Sequence, residues 1–308
     1  MAGRPLKNLF SAATNTAGRL FIIACFLCAL LFNHKTCKMK NIRRDNTDIS
    51  YRETGSGEIT LLFVHGAYLD QTCWKDQVTF FEQNYKVVTF DLPGHGNSGK
   101  QRGDWSIRKF AEDVIAVIWE LNLSNVILIG HSMGATINLM AATLYPKPVL
   151  GFIAIDMFKN AASPLPDEYQ REAAHIAEKL TTDFANTNEQ YARMALLTEQ
   201  TPASVSERVV QNYRNAHQAM AIAITREMFS MYRAEKELLP KLRFKLYLIN
   251  VDYIPTQEGP LQQYAGSGYE VLHIKGTSHF PMLENPSMLN KLLYEVIQEI
   301  SVNMMHEA

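Results

Sequence analysis

The sequence predicts an α/β fold: a mostly parallel sheet flanked by helices, with a helical cap inserted late in the chain. Three observations predict it. Short, continuous apolar runs alternate with segments of helical periodicity, as expected of strands buried on both faces and joined by crossover helices. The alternation stops between residues 157 and 240, where helical spacing and scattered prolines remain. It then resumes, so the helical block interrupts one sheet.

Taken in order, Asp48–Glu53 reads as an early strand that ends at the turn residues Gly55-Ser56-Gly57. Ile59–Val64 is a continuous apolar strand, followed by a loop at His65–Thr72 and a helix ending near Asn84. Lys86–Phe90 is the next buried strand, and Asp91–Gly99 is too rich in Gly and Pro to be anything but a loop. Trp105–Leu121 places Ile107, Phe110, Ala111, Val114, Val117, Ile118 and Leu121 on one helical face, with Asp104 or Ser106 able to cap it. Asn125–Ile129 is a strand, Met133–Leu144 a helix that stops before Pro146, and Leu150–Ile155 a strand. The inserted block divides into helices near 167–180, 188–198, 204–216 and 217–236. Strands at Phe244–Asn250 and Glu270–Ile274 and a helix over 286–301 complete the chain. Residues 38–156 and 241–308 are thus the core domain. Residues 157–240 are the cap, packed over the strand ends where ligands bind in such sheets.

The balance of apolar and charged residues, 47% and 20% of 308, is that of a globular enzyme with a sizeable core. A formal net charge of −1 without clustered Lys and Arg in the core argues against a nucleic-acid partner. Charge is uneven at the start. Arg4, Lys7 and Arg19 precede the thirteen-residue apolar run Leu20–Phe32, and Lys35, Lys38, Lys40, Arg43 and Arg44 follow it. A membrane span needs about 20 apolar residues, whereas a signal peptide uses about 7–15 behind a basic start. The length favours a signal peptide, and the basic flank after the run favours an anchor with its charges on the cytoplasmic side. Residues 1–37 are therefore read as a signal peptide or membrane anchor, with export to the cell envelope or membrane association as the expectation and a cytoplasmic location as the alternative. Cys25 and Cys28 lie inside the run, which leaves Cys37 and Cys73, too few for a disulfide framework. No metal-ligand spacing is present, no cofactor is implied, and nothing in the pattern fixes an oligomeric state.

Gly130-His131-Ser132-Met133-Gly134 matches the G-x-S-x-G pattern directly between a buried strand and a helix. A serine at such a sharp turn is pushed into a strained, exposed position, with the helix N-terminus behind it favouring developing negative charge. A bare Gly-rich turn with a capping serine is the alternative, and the strand-to-helix context argues against it. Ser132 is the candidate nucleophile.

With this motif the chain resembles the α/β-hydrolase family, in particular its capped, esterase-like members, from about residue 48 to residue 301. His65-Gly66-Ala67-Tyr68 looks like the family's oxyanion loop, and Asp91-Leu92-Pro93-Gly94-His95-Gly96-Asn97-Ser98 like its Gly-rich turn. Gly276-Thr277-Ser278-His279-Phe280-Pro281 looks like the loop that carries the catalytic histidine. The resemblance implies a mostly parallel α/β-hydrolase sheet flanked by helices, with an inserted helical cap. It also implies an acyl-enzyme on Ser132, with His279 as the base. Of nine histidines, His279 alone lies late in the chain in a loop after the last strand, whereas His65, His95 and His131 sit in turns as structural residues. The acid that orients the imidazole is Asp252 on chain order, although Asn250-Val251-Asp252-Tyr253 departs from the usual turn; Asp156, at the end of the preceding strand, is the alternative. The backbone N–H groups of Ala67 and Met133 would hold the oxyanion. Tyr68 and Trp74 are candidate pocket residues, core packing being the stronger reading for Trp74. The stripe Met220–Tyr232 is core, or the wall of an apolar pocket.

The expected reaction is hydrolysis of a carboxylic ester of a small or medium apolar acyl substrate. Carbon–carbon bond, thioester and amide hydrolysis share the machinery. Dehalogenation and epoxide opening, which use a carboxylate nucleophile, do not. A binding protein on the same scaffold and a membrane-associated acyltransferase are the readings from other classes.

Overall fold

The computed structural model describes residues 39–307. The apolar run 20–32, its flanks up to Lys38, and the signal-peptide or anchor reading lie outside the described residues. Among those described, no helix is long and apolar enough to cross a membrane.

Eight strands form one sheet in the order β1-β2-β4-β3-β5-β6-β7-β8. They are β1 (Lys40–Arg44), β2 (Thr47–Thr54), β3 (Thr60–Val64), β4 (Lys86–Phe90), β5 (Val126–His131), β6 (Val149–Ile155), β7 (Leu246–Val251) and β8 (Tyr269–Ile274). β1 and β2 are antiparallel, as are β2 and β4; every other pair is parallel. Helices α1 (Lys75–Phe81), α2 (Ile107–Glu120) and α3 (Met133–Leu144) are crossovers between the strands up to β6. β3, β5 and β7 are buried at every position, which explains their unbroken apolar runs. Ser106 caps α2 by accepting from Lys109 N at 3.2 Å.

β1 corrects the reading of Lys40, Arg43 and Arg44 as a basic flank. Only Ile42 of that strand is buried; Lys40 and Arg43 sit on exposed edge positions, while the partly buried Arg44 reaches back to the buried Asp113 and to Glu112 of α2. The two-residue turn Asp45-Asn46, with φ of 48° and 60°, closes the hairpin to β2.

Between β6 and β7 the described chain is helical: α4 (Asp167–Lys179), α5 (Phe184–Tyr191), a π-helical turn (Ala192–Leu196), α6 (Ala203–Arg214), α7 (Gln218–Met228) and α8 (Tyr232–Leu238). The single helix expected over 217–236 is broken at Phe229–Met231. After β7 come α9 (Glu258–Tyr264), α10 (Pro281–Glu284) and α11 (Pro286–Glu307). The first two are a short turn or two each and leave no periodic signal.

Register positions the site. Val64 of β3 pairs with Gly130 of β5, which pairs with Ala154 of β6. The residues just past these strand ends, His65, Ser132 and Asp156, therefore emerge together on one side of the sheet. Ser132 N donates to Ile155 O at 3.0 Å, and Asp156 N to Ile249 O at 3.0 Å, extending the ladder to the last residue before each turn.

Candidate active site

Ser132 sits between β5 and α3 with φ 51° and ψ −124°, a conformation costly for a residue with a Cβ. The flanking glycines make the turn possible by close approach. A Cβ on Gly130 would stand 2.6 Å from Ala135 N, and one on Gly134 2.4 Å from Val64 O. Ser132, Met133, Ala67, Tyr68, Asp156 and His279 all line one cavity of about 330 Å³.

His279 is held at three atoms. Its Nδ1 lies 2.5 Å from Asp156 Oδ2. Its carbonyl accepts from His131 Nε2 at 2.7 Å. Its backbone N–H donates to Leu196 O, in the π-helical turn of the cap, at 3.1 Å. Burial and the neighbouring His279 charge push the His131 imidazole well below its ordinary value, so it is a neutral donor from Nε2 at neutral pH.

Asp156, not Asp252, meets the imidazole. Asp252 is exposed, and its Oδ1 accepts from Gly276 N at 3.2 Å. The reason lies in the strand order: Asp156 follows β6, which pairs directly with β5, whereas Asp252 follows β7, one strand further from Ser132, and turns outward. Asp156 Oδ1 accepts from Val251 N at 3.1 Å and faces Lys159 Nζ at 2.7 Å. Burial raises the Asp156 carboxyl, but the hydrogen bond and charge of His279, with the Lys159 ammonium, outweigh it and hold the group below the usual carboxylate range.

The loop opposite Ser132 is fixed by neutral histidine chemistry. His65 Nδ1 donates to Gly66 O at 2.8 Å, and its Nε2 accepts from Leu92 N at 3.0 Å. This ties the Ala67 loop to the Gly-rich turn, where Asp91 accepts from Gln71 N at 2.7 Å and Asn97 N at 2.8 Å. Tyr68, at φ 60°, reaches the cap: its hydroxyl lies 3.0 Å from Thr225 Oγ1, and its ring meets Tyr213 edge-on at 4.7 Å. Trp74, proposed from the sequence as a pocket residue, does not line the cavity. Its indole is buried against Phe63 at 5.1 Å between ring centroids, because its helical turn faces the sheet. The stripe Met220–Tyr232 divides: Met220 and Ala221 are buried, and Ile224, Thr225, Met228, Phe229 and Tyr232 wall the cavity.

Lys159, Tyr253 and Glu235 also line the cavity and were not singled out from the sequence. The spacing Asp156-x-x-Lys159 after a strand was the only available sign of the first. Among the described residues, no cluster of His, Cys, Asp and Glu could hold a metal ion.

Several known proteins share these features. The chain is 35% identical over 115 residues to an (E)-2-((N-methylformamido)methylene)succinate hydrolase of Acinetobacter baylyi, a match that takes in 37% of this chain and 42% of that protein. The matched part thus spans less than half of that relative's length. A karrikin insensitive 2 receptor of Petunia hybrida is 23% identical over 253 residues, 78% of this chain and 92% of the receptor. In fold, the chain superposes on a thermophilic esterase from Thermogutta terrifontis with a TM-score of 0.72 at 21% identity, covering 85% of this chain and 99% of that one. The model of the alpha/beta hydrolase family matches residues 61–292, from β3 into α11, and on that match this chain belongs to the alpha/beta hydrolase family.

Proposed function

We propose that this chain is a serine hydrolase that cleaves carboxylic esters of small or medium apolar acyl groups. The observation that carries the reading is the 2.5 Å contact of Asp156 with His279 beside a positive-φ Ser132 on the wall of a mostly apolar cavity. In this reading His279 Nε2 takes the Ser132 proton as Oγ attacks the ester carbonyl. Asp156 keeps Nδ1 protonated, so that Nε2 is the basic nitrogen, and it stabilises the imidazolium that forms. The N–H groups of Ala67 and Met133 receive the oxyanion; one such donor is worth roughly 2.7–4 kcal/mol in the transition state. His279 then protonates the leaving alcohol. Water, deprotonated by the same imidazole, releases the acid and restores Ser132.

A second reading is favoured by the Acinetobacter relative, whose name is that of a hydrolase of a substituted methylenesuccinate. Its substrate would meet the same nucleophile and base. The test is kcat/KM of the full chain on matched p-nitrophenyl butyrate, thioester, anilide and methylenesuccinate substrates, with Ser132→Ala alongside. The ester should lead, and its turnover should fall in the variant to the level of buffer. If the methylenesuccinate leads, the second reading replaces the first. If wild type and variant hydrolyse the ester equally, Ser132 is not the nucleophile.

A further inference from the structure

We propose that Lys159 is a positioning residue for the Asp156–His279 pair, its ammonium holding the carboxylate from the side opposite the imidazole. The proposal rests on the serine-hydrolase reading above and adds a fourth member to the row Ser132, His279, Asp156.

The geometry begins in the backbone. The segment after β6 contains three non-glycine residues in the left-handed region, Asp156 at φ 47°, Phe158 at 59° and Ala162 at 54°. Such conformations persist only where the surroundings impose them. Here the turn folds the chain back within three residues, so that Lys159 Nζ comes to 2.7 Å from Asp156 Oδ1. The loop is pinned at both sides: Gln257 N donates to Lys159 O at 2.7 Å, and Met157 N to Asn250 Oδ1 at 3.2 Å. The ammonium also lies 4.2 Å above the Tyr253 ring, a favourable site for a cation with little water. The Lys159 side chain is 13% exposed, and among the described residues lining the cavity it is the only lysine or arginine. Burial pulls the ammonium below its ordinary value, and the Asp156 carboxylate, with Asp252 beyond it, pulls it back.

Among the described residues, the other groups around the pair supply no second cation. From the end of β5 comes neutral His131, and from the segment after β7 come Asp252 and the Tyr253 phenol, which burial and the Asp156 charge push up. From the loop of His279 comes Glu284, which accepts from Ser278 N at 3.1 Å. From the cap come the Leu196 carbonyl and the half-buried Tyr191 phenol. Among the described residues, Lys159 is therefore the one ammonium or guanidinium set against the carboxylate. Its field favours the ionised carboxylate and opposes a further cation beside it, so a variant that removes this charge should take up a proton at the pair more readily.

The test measures the rate at which a fluorophosphonate probe labels Ser132 in the full chain as a function of pH, for wild type, Lys159→Met, Lys159→Gln and Lys159→Arg. Far-UV circular dichroism and melting temperature report whether each is folded. The acid limb should move up by roughly half to one pH unit in both neutral variants and stay near its wild-type position in Lys159→Arg. A limb that does not move in the folded neutral variants, or that moves equally in Lys159→Arg, would overturn the proposal and leave Lys159 as a filler of the turn. Should Lys159→Met not fold, Lys159→Gln, of similar length and polar, decides alone. If both neutral variants unfold, the lysine holds the loop, not the pair, and the proposal fails. Wild-type protein that takes no label fails the serine-hydrolase reading itself, which is a separate result.

Discussion

Asp156 and Asp252 differ by one strand in the sheet, and the difference decides which can serve His279. Chain order and motif alone favoured Asp252. What the sequence could not express is direction: β7 ends at Val251 with the next carboxylate turned to Gly276 N, while Asp156 is turned inward by a left-handed φ that no local pattern announces. Asp156→Asn should therefore lower kcat by about 10⁴-fold, as expected when the orienting acid of a triad is neutralised, and Asp252→Asn should leave it within a few-fold. Steady-state ester hydrolysis by the two variants checks this, and the reverse ranking would restore Asp252. Glu235 gives a second prediction at this scale. Burial pushes its carboxyl up to about 7 from an ordinary 4.5, partly offset by the Ala162 N–H that it accepts at 2.9 Å. The folded chain thus binds this proton more tightly than the unfolded chain does. Its contribution to stability is whole below about pH 4.5 and is lost as pH rises through about 7, a change of about 3 kcal/mol. Glu235→Gln should match wild type in melting temperature near pH 5 and exceed it near pH 8. Parallel melting curves across that range would refute the assignment.

The strands and the elbow were legible because each has a short-range cause. β3, β5 and β7 are buried on both faces and must be apolar throughout, and the elbow needs glycine at two fixed offsets. Gly134→Ala should destabilise the fold by roughly 1–3 kcal/mol, because the new Cβ meets the backbone carbonyls of Val64 and His65, which no rotamer change can clear. A shift of the urea midpoint tests it, and an unchanged midpoint would mean that the β3 loop yields. β1, α9 and α10 were not legible. β1 fully buries one side chain, Ile42, between charged residues, of which Arg44 is turned to Asp113 by a contact distant in sequence, so its composition is that of a solvated flank. α9 and α10, of seven and four residues, are shorter than the window a period requires. The break of the expected 217–236 helix at Phe229–Met231 is equally silent in sequence, since no Gly or Pro falls within it.

At the scale of the molecule, the cap and the sheet are joined at the site itself. Leu196 O takes the His279 amide, Thr225 meets Tyr68, and Glu227 Oε2 accepts from Ile107 N, the first residue of α2, at 2.9 Å. The cavity they enclose is finite and largely walled by the cap's apolar side chains. Across p-nitrophenyl butyrate, octanoate and palmitate, kcat/KM should therefore pass its maximum before palmitate; a steady rise to palmitate would mean that the cavity opens into a longer channel. All of this depends on Ser132 being an activated nucleophile. The most direct measurement is intact-protein and peptide mass spectrometry of the full chain after reaction with a fluorophosphonate. The account predicts a single adduct on the peptide containing Ser132, absent from Ser132→Ala and strongly slowed in Asp156→Asn. Folded wild-type protein that carries no adduct, or carries it on another residue, would contradict it.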